Sequence, residues 1–494
     1  MGTTGPGLSR RSVLSGAALA AGGVATLGAA AGCGTGLAGV PSRSIQAPAS
    51  SLDPYFSGHG AGGFLVNHYA LDLAYSQSTG RIAGTATIRV LPFTALSGLS
   101  LDLSGGLTVL SVKVDGAAAG FQRNQADKLY IALHPALRSG RMATLEIAYG
   151  GRPQPVTVTG VGAVGWHGLT ADGAQPGGEA GVSVLSLPTG APTWFPCADH
   201  PTLKAAYDVS VTVPTGLCVL ANGKLLDKAP QDFGTKWTYR HDGPMAGYLA
   251  TVQIGNFELR TATGPGGVQL RDAYPARLAA AAAHDLGRQQ EMISTFADLF
   301  GPYPFDVYGT AALDGLPVRS AHAQTLGLVD SALIDGARGA EPLVAHSLAT
   351  QWFGAGVSIA SWRDVWLSTG FATYAQWIWS QHSGGDSADT HARAAMRQLA
   401  SAAPDLVLAD PGAQRILDPR VSARGACFLH ALRLTMGDQT FFELLRVWCN
   451  RNQSGFAQTA DFLALIPNVY TQQDLTALAA SWVLTAPLPA LPGA

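Results

Sequence analysis

Residues 194–213, WFPCADHPTLKAAYDVSVTV, join a short run of aromatic residues and prolines to a strict alternation of apolar and polar side chains. From Tyr207 to Val213 every second residue is apolar, which is the period of a β-strand with one buried face. Proline and aspartate punctuate the run before it and indicate a turn or loop. The stretch therefore predicts a loop that leads into a strand of a β-rich domain.

The same alternation recurs on both sides of this strand, at 83–91, 107–114, 143–149 and 248–257. It predicts an all-β domain over 61–263. After the Gly-Pro-Gly-Gly run at 264–267, helical periodicity dominates 268–487, and the first helix is expected at 277–300. A small sheet is expected around 305–330. The predicted fold class is α+β and multidomain, with an all-β domain followed by a mainly helical one.

Composition narrows the class of protein. The 494 residues are 47% hydrophobic and 13% charged, with a formal net charge of −2, so intrinsic disorder is excluded. A near-neutral chain without a basic run argues against nucleic-acid binding. The 60 Gly and 29 Pro residues indicate many turns.

The first 60 residues carry targeting features. Residues 9–14 (SRRSVL) precede a weakly apolar Ala/Gly/Leu segment, a pattern typical of a twin-arginine export signal, with a membrane anchor as the alternative. The segment ends in AAGC at 30–33, which resembles a bacterial lipobox and predicts acylation of Cys33; simple cleavage and release is the alternative. Residues 1–33 are therefore predicted to be a signal and 34–60 a linker. We expect an exported protein held at the cell surface by a lipid.

In an oxidising compartment outside the cytoplasm, the remaining cysteines could form disulfides. Helical periodicity at 423–436 and 439–451 is broken at Gly437-Asp438, so an antiparallel helical hairpin would place Cys427 and Cys449 at similar heights. The sequence predicts a disulfide between them, with two buried free thiols as the alternative.

Several segments resemble one family. The opening stretch and six further segments are similar to the aminopeptidase N-like zinc peptidases, or gluzincins. The six segments are ANG (221–223), PMAGYLAT (244–251), QWFG (351–354), WRDVWL (362–367), GFATY (370–374) and RGA (424–426). The resemblance covers about residues 60–487. It implies the short two-domain form: a β-saddle domain packed on a thermolysin-like domain.

That resemblance also implies a zinc site. In the family a His-Glu-x-x-His helix places two imidazoles on one face, and a glutamate on the next helix is the third ligand. The glutamate inside the motif is the general base for a zinc-bound water. A tyrosine stabilises the oxyanion, and two glutamates hold the free amine of the substrate.

This chain departs from the pattern at those positions. The motif is His346-Ser347-Leu348-Ala349-Thr350, so the first ligand is present, while the base is Ser347 and the second ligand is Thr350. The third ligand, expected 19 residues further on, is Thr369. The spacing is intact although the carboxylates and one imidazole are absent.

The positions expected to contact substrate differ as well. By local alignment, His322 and Leu187 replace the amine-binding glutamates, and Ser422 replaces the tyrosine. We expect Leu187, Gln324 and Trp352 to be remnants of the substrate cleft. Ser347 is not expected to be a new nucleophile, because neighbouring helical residues point about 100° apart and His346 could not serve as its base.

These substitutions predict an exported pseudopeptidase without a cofactor, because zinc sites use three or four Cys, His or carboxylate ligands. Its expected role is to bind a peptide or an envelope protein, with membrane contact only through the lipid anchor. Two alternatives remain: an active zinc aminopeptidase with a metal site rearranged around His346 and His322, and a structural element of an envelope complex.

Overall fold

The computed structural model describes residues 53–123, 127–169 and 180–493. The twin-arginine segment and Cys33 lie outside these residues. The strands of the first part are β1 (Phe64–Ser76), β2 (Arg81–Pro92), β3 (Leu96–Asp102), β4 (Leu107–Val114), β5 (Ala117–Ala118), β6 (Phe121–Arg123), β7 (Lys128–Leu137), β8 (Ala143–Gly151), β9 (Val156–Val158), β10 (Gly162–Leu169), β11 (Gly181–Leu185), β12 (Lys204–Val213), β13 (Cys218–Ala221), β14 (Lys224–Gln231), β15 (Gly234–Ala246), β16 (Val252–Gly255), β17 (Glu258–Thr263) and β18 (Gln269–Tyr274).

The second part contains α1 (Ala279–Asp285), α2 (Gln289–Phe300), β19 (Val307–Tyr308), β20 (Thr310–Leu313), β21 (Ser320–Ala323), β22 (Leu326–Asp330), α3 (Glu341–Ala349), β23 (Ser358–Ile359), α4 (Trp366–His382), α5 (Ala388–Ala400), α6 (Pro419–Asn452), β24 (Phe456–Ala457), α7 (Thr459–Val469) and α8 (Thr476–Val483). A sheet-rich part followed by a mainly helical part confirms the predicted α+β class. None of the described helices is both long and apolar enough to cross a membrane.

The strand predicted from the opening stretch is β12, near the middle of an eight-stranded sheet ordered β14-β15-β12-β1-β2-β8-β4-β5. Its alternate residues Tyr207, Val209, Val211 and Val213 are buried, as the period-two pattern requires. β12 runs parallel to β1, and the ring of Tyr207 stacks on that of its register partner Tyr69 with centroids 4.9 Å apart. Burial of this face positions the loop that precedes β12.

That loop, residues 194–201, joins several layers of the first part. The backbone of Cys197 forms an isolated bridge with Asp102 of β3, and the Tyr149 hydroxyl of β8 donates to the Trp194 carbonyl. The Ala198 amide donates to the Tyr69 hydroxyl. The segment thus joins the eight-stranded sheet to the three-stranded sheet β3-β7-β6. A five-stranded sheet, ordered β13-β16-β11-β10-β9, completes the first part.

Three sequence expectations change at the boundary between the parts. The Gly-Pro-Gly-Gly run is not a border but the turn between β17 and β18, which pair antiparallel and share a six-stranded sheet with β19–β22 of the second part. The predicted strand at 248–257 is reduced to β16, after a 3-10 turn at Gly247–Leu249. The predicted helix at 277–300 is two helices, α1 and α2, separated at 286–288.

The linker predicted to extend to residue 60 ends earlier, because residues 53–60 are packed on the rest of the protein. An Asp53 carboxylate oxygen accepts a hydrogen bond from the Trp362 amide at 2.8 Å, and the Tyr55 hydroxyl donates to Asp410. The Gly60 amide donates to Asp102 at 2.8 Å. This segment is attached to both parts of the fold and is no tether.

The helical part has a close crossing between α4 and α6. A Cβ added to Gly370 would lie 3.0 Å from the Gly425 Cα, so only glycine fits on both helices. Around it pack large aromatic side chains, among them Trp366, Phe371 and Trp448. Helix packing therefore accounts for the glycines and the aromatic residue Phe371 of the GFATY and RGA segments.

The predicted disulfide between Cys427 and Cys449 is not formed; both cysteines are free and buried. α6 is interrupted only at Gly437, which leaves helical conformation (φ 77°, ψ 163°). The Cys427 thiol contacts the Ala392 carbonyl of α5, whereas Cys449 lines a separate cavity beside Pro302 and Trp352. The two thiols have different neighbours, and the disulfide expected from the sequence is absent.

Candidate functional site

Helix α3 carries the first candidate residues. Pro342 lies in its first turn, where the missing amide hydrogen costs nothing, and the helix ends with Thr350 as its C-cap. The Thr350 amide still donates to the His346 carbonyl at 3.1 Å, so positions 346 and 350 keep the i, i+4 relationship that the sequence predicted. The backbone geometry of the family's two-histidine helix is therefore present.

The side chains at the expected ligand and base positions are turned to backbone carbonyls. The Thr350 hydroxyl donates to the Ser347 carbonyl at 2.7 Å, and the Thr369 hydroxyl donates to the Val365 carbonyl at 3.3 Å. The Ser347 hydroxyl has a long contact of 3.5 Å to the Ala321 carbonyl of β21. The two Thr hydroxyls bond carbonyls three and four residues earlier, as Ser and Thr on helices often do, whereas the Ser347 hydroxyl faces β21.

His346 and His322 face one another across the same space, with ring centroids 6.4 Å apart. Burial lowers the pKa of His346 to about 4, against a smaller opposing effect of a Gln376 hydrogen bond. Burial also lowers the pKa of His322 to about 3, and His346 adds to that shift. Both imidazoles are therefore neutral at physiological pH.

A cavity of about 230 Å³ collects five of the predicted residues: Leu187, His322, His346, Ser347 and Thr369. β10, β11 and the turn at Gly247–Leu249 supply one wall, and β21, α3 and α4 supply the other. Residues that sequence reasoning did not single out as site residues also line it, including Val318, Leu328 and Leu417. Tyr248, from the 244–251 segment, lines it too, so that motif was a usable clue; Leu417 had no sequence signal.

Four other predicted residues, Thr350, Gln324, Trp352 and Ser422, are not lining residues of this cavity. Gln324 is buried, and its amide is 2.6 Å from His241 Nε2 and donates to the Pro244 carbonyl at 3.3 Å, so it joins β21 to β15. Trp352 donates through Nε1 to the Gly301 carbonyl at 2.9 Å and lines a different cavity. The polar atoms of Gln324 and Trp352 are hydrogen-bonded within the fold, and their assignment to the former cleft stays a prediction.

Ser422 is also outside the cavity lining. Its hydroxyl donates to the Pro419 carbonyl at 2.9 Å, in the first turn of α6. A hydroxyl bonded to its own helix backbone contributes nothing to an oxyanion in the cavity, where donors must point at the developing charge.

The donor set does not fit the zinc ion that the family would place here. Zinc requires three or four Cys, His or carboxylate ligands. Within residues 53–123, 127–169 and 180–493, no group of three His, Cys, Asp or Glu side chains is arranged to hold a metal ion. The cavity supplies two imidazoles, and the hydroxyls at 350 and 369 are neutral and directed to carbonyls.

Solved structures match the whole described fold. An alanine-substituted mutant of the M1 zinc metallopeptidase from Deinococcus radiodurans is 30% identical, with a TM-score of 0.80 over 90% of this chain and 99% of that chain. The same kind of mutant bound to a Tyr-Ser-Ala substrate is 31% identical, with a TM-score of 0.79, and covers 89% of this chain and 98% of that one.

Curated relatives match over shorter spans. Mouse aminopeptidase B is 29% identical over 185 residues, which is 37% of this chain and 27% of that protein. Rabbit aminopeptidase N is 30% identical over 209 residues, 38% of this chain and 21% of that protein. The matched spans are thus about a quarter of the length of these relatives.

Two family sequence models match the chain, one in each part and in the same order. The Peptidase M1 N-terminal domain matches residues 65–249, and the Peptidase family M1 domain matches residues 288–482. With the full-length structural match, these findings confirm the resemblance on which the sequence reasoning rested: the chain belongs to the M1 family of aminopeptidase N-like zinc metallopeptidases.

Proposed function

We propose that this protein is a non-catalytic member of its family that binds a peptide or a segment of an envelope protein in the former substrate cleft. One observation carries the proposal: the side chains at the base and ligand positions, Ser347, Thr350 and Thr369, all contact backbone carbonyls. None of them is a group that binds zinc or accepts a proton from water at neutral pH.

Loss of these groups removes hydrolysis in two ways. A missing general base alone lowers the rate by roughly 10²–10⁴. The missing ligands remove the metal that would lower the pKa of water and create the nucleophile. The two effects act on one step, so neither can compensate for the other.

The binding role is supported by the remaining cavity and by a relative. The cavity keeps walls from both parts of the fold, including Leu187, Tyr248 and Leu328. A structure of the Deinococcus radiodurans relative is described as bound to a Tyr-Ser-Ala substrate, which makes a short peptide the first ligand class to test here.

A rearranged metal site is the second candidate, and the approach of His322 to His346 favours it. Two imidazoles alone are one ligand short of the smallest protein zinc site. Among the described residues that line the cavity, no Asp, Glu or Cys is present to be the third ligand. We therefore rank it below the non-catalytic role.

The proposed cellular location rests on residues outside the described structure. We propose export through the arginine pair Arg10-Arg11 and acylation at Cys33. The partner would then be a peptide or protein of the cell envelope, and nucleic acid is not expected, since the net charge is −2.

The decisive experiment measures zinc and hydrolysis on one purified sample. We expect much less than one mole of zinc per mole of protein and no release of an aminoacyl fluorophore, with the Deinococcus radiodurans enzyme as the positive control. Stoichiometric zinc together with chelator-sensitive cleavage would overturn the proposal in favour of the active alternative.

A further inference from the structure

The described residues that line the cavity around His322 and His346 include no charged side chain. Among the described lining residues, most are aliphatic and the polar ones are Ser, Thr, Tyr and His; Asp, Glu, Lys and Arg are absent. A site that binds a free amino terminus must supply a counter-charge, because an unpaired ammonium in a partly apolar cavity loses its hydration without compensation.

The exposed part of the cavity lining is apolar as well. Val318, on the loop before β21, is 38% exposed, and Leu417, before α6, is 40% exposed. Both also line the cavity. Exposed aliphatic side chains beside a cavity favour an apolar group from solution over a charged one.

The polar atoms of the cavity are suited to a neutral ligand. The ring nitrogens of His322 and His346 can take part in hydrogen bonds with such a ligand. The hydroxyl of Thr369 is already donated to the Val365 carbonyl, so it offers only acceptor capacity. At about 230 Å³ the cavity is smaller than the roughly 300–1,000 Å³ of a typical drug-sized site and suits one side chain.

We infer that the cavity accepts an uncharged apolar side chain from a peptide whose amino end is blocked or internal, and that it discriminates against a free ammonium group. This inference rests on the proposed binding role and specifies its ligand class. It reverses the preference of an aminopeptidase, because Leu187 and His322 stand where the amine-binding carboxylates are expected.

The test compares Tyr-Ser-Ala-amide with N-acetyl-Tyr-Ser-Ala-amide by calorimetry on the full protein. At about pH 6 the free amino terminus is protonated, since its pKa is about 7.7–8.0. We expect the acetylated peptide to bind at least tenfold more tightly there. The difference should shrink near pH 9, where the amine is neutral.

Two variants sharpen the comparison. Leu187→Glu restores a carboxylate to the cavity wall and should shift the preference toward the free amine. Leu226→Glu, on the exposed edge strand β14, is the matched control and should leave both affinities unchanged. The wild-type peptide pair decides the question even if Leu187→Glu fails to fold.

The outcomes separate this inference from the proposed function. Equal or tighter binding of the free-amine peptide by zinc-free, inactive protein overturns the ligand class and leaves the non-catalytic role standing. Failure of both peptides to bind at millimolar concentration also overturns the ligand class. Zinc-dependent cleavage of Tyr-Ser-Ala-amide overturns the proposed function itself.

Discussion

The hydroxyl of Thr350 donates a hydrogen bond of 2.7 Å to the carbonyl oxygen of Ser347, three residues earlier on α3. From the sequence, these two residues are predicted to stand at the positions of the second metal ligand and the general base of the family. The helix therefore keeps the spacing of a zinc motif, while the Thr350 hydroxyl is hydrogen-bonded to the backbone of its own helix. The differences from the family are thus confined to individual side chains, and the backbone around them is retained.

Restoring the site requires three changes together. Ser347→Glu, Thr350→His and Thr369→Glu in one protein should recover zinc binding, because the i, i+4 spacing and the 19-residue interval are intact. Activity should return only weakly, since Ser422, His322 and Leu187 still lack the oxyanion and amine contacts. Metal analysis by mass spectrometry gives the readout. The single variants are the controls, and stoichiometric zinc in Ser347→Glu would contradict the prediction.

Arg424 should be a major determinant of stability. Its buried guanidinium donates to six backbone carbonyls, those of Leu406, Ser481, Trp482, Thr485, Ala486 and Pro487. Arg424→Met leaves these acceptors without the donor, and we expect a loss of at least about 3 kcal/mol in urea unfolding. Arg277→Met removes an exposed pair with Asp314 and should change little. Equal stability of the two variants would show that the carbonyls find other donors.

His241 should make the protein less stable in mild acid. Burial lowers its pKa to about 4, with Arg271 adding to the shift and Asp242 and Asp306 opposing it. Between pH 6.5 and 4 the unfolded chain takes up a proton that folded His241 does not, so stability falls as the pH falls. The contribution is about 2 kcal/mol between pH 7 and pH 5.

The variant His241→Gln isolates this effect. Its free energy of unfolding should fall less than that of the wild type between pH 7 and pH 5 in urea titrations. Other groups titrate equally in both proteins, and Asp272, whose pKa burial raises to about 6, acts in the opposite direction. Identical pH profiles for the two proteins would assign the acid sensitivity elsewhere.

The four cysteines of the described chain should all titrate as thiols once the protein is unfolded without reductant. In the native state Cys427 should react very slowly, because burial raises its pKa to about 12 and leaves almost no thiolate. Burial also raises the pKa of Cys449. A Cys427–Cys449 peptide found by non-reducing mass mapping of exported protein would refute this.

The proposed export and lipid anchoring are tested at residues near the amino terminus. Arg10→Lys with Arg11→Lys should leave the protein in the cytoplasm, and Cys33→Ala should release it from membranes. Fractionation with an antibody against the folded part measures both. Membrane association that survives Cys33→Ala would exclude the lipid anchor.

The sequence by itself determined the family and the order of the two parts. It did so through residues that tolerate little substitution, such as Gly370 and Gly425, where two helices approach within the space of a side chain. The alternation at 207–213 likewise specified a buried strand, because one face of β12 must pack on the core. The spacing of His346, Thr350 and Thr369 was also readable, since it is a property of the chain.

Only the tertiary structure decided which of these positions share a cavity and where their polar atoms point. Leu187 reaches His322 and His346 through the packing of the two parts, whereas Gln324 and Trp352 bond to His241 and Gly301. The partners of a buried polar group come from segments distant in sequence, so no local pattern reveals them. The break at Gly437 was readable from the sequence, but the different neighbours of the free thiols Cys427 and Cys449 were decided by tertiary packing.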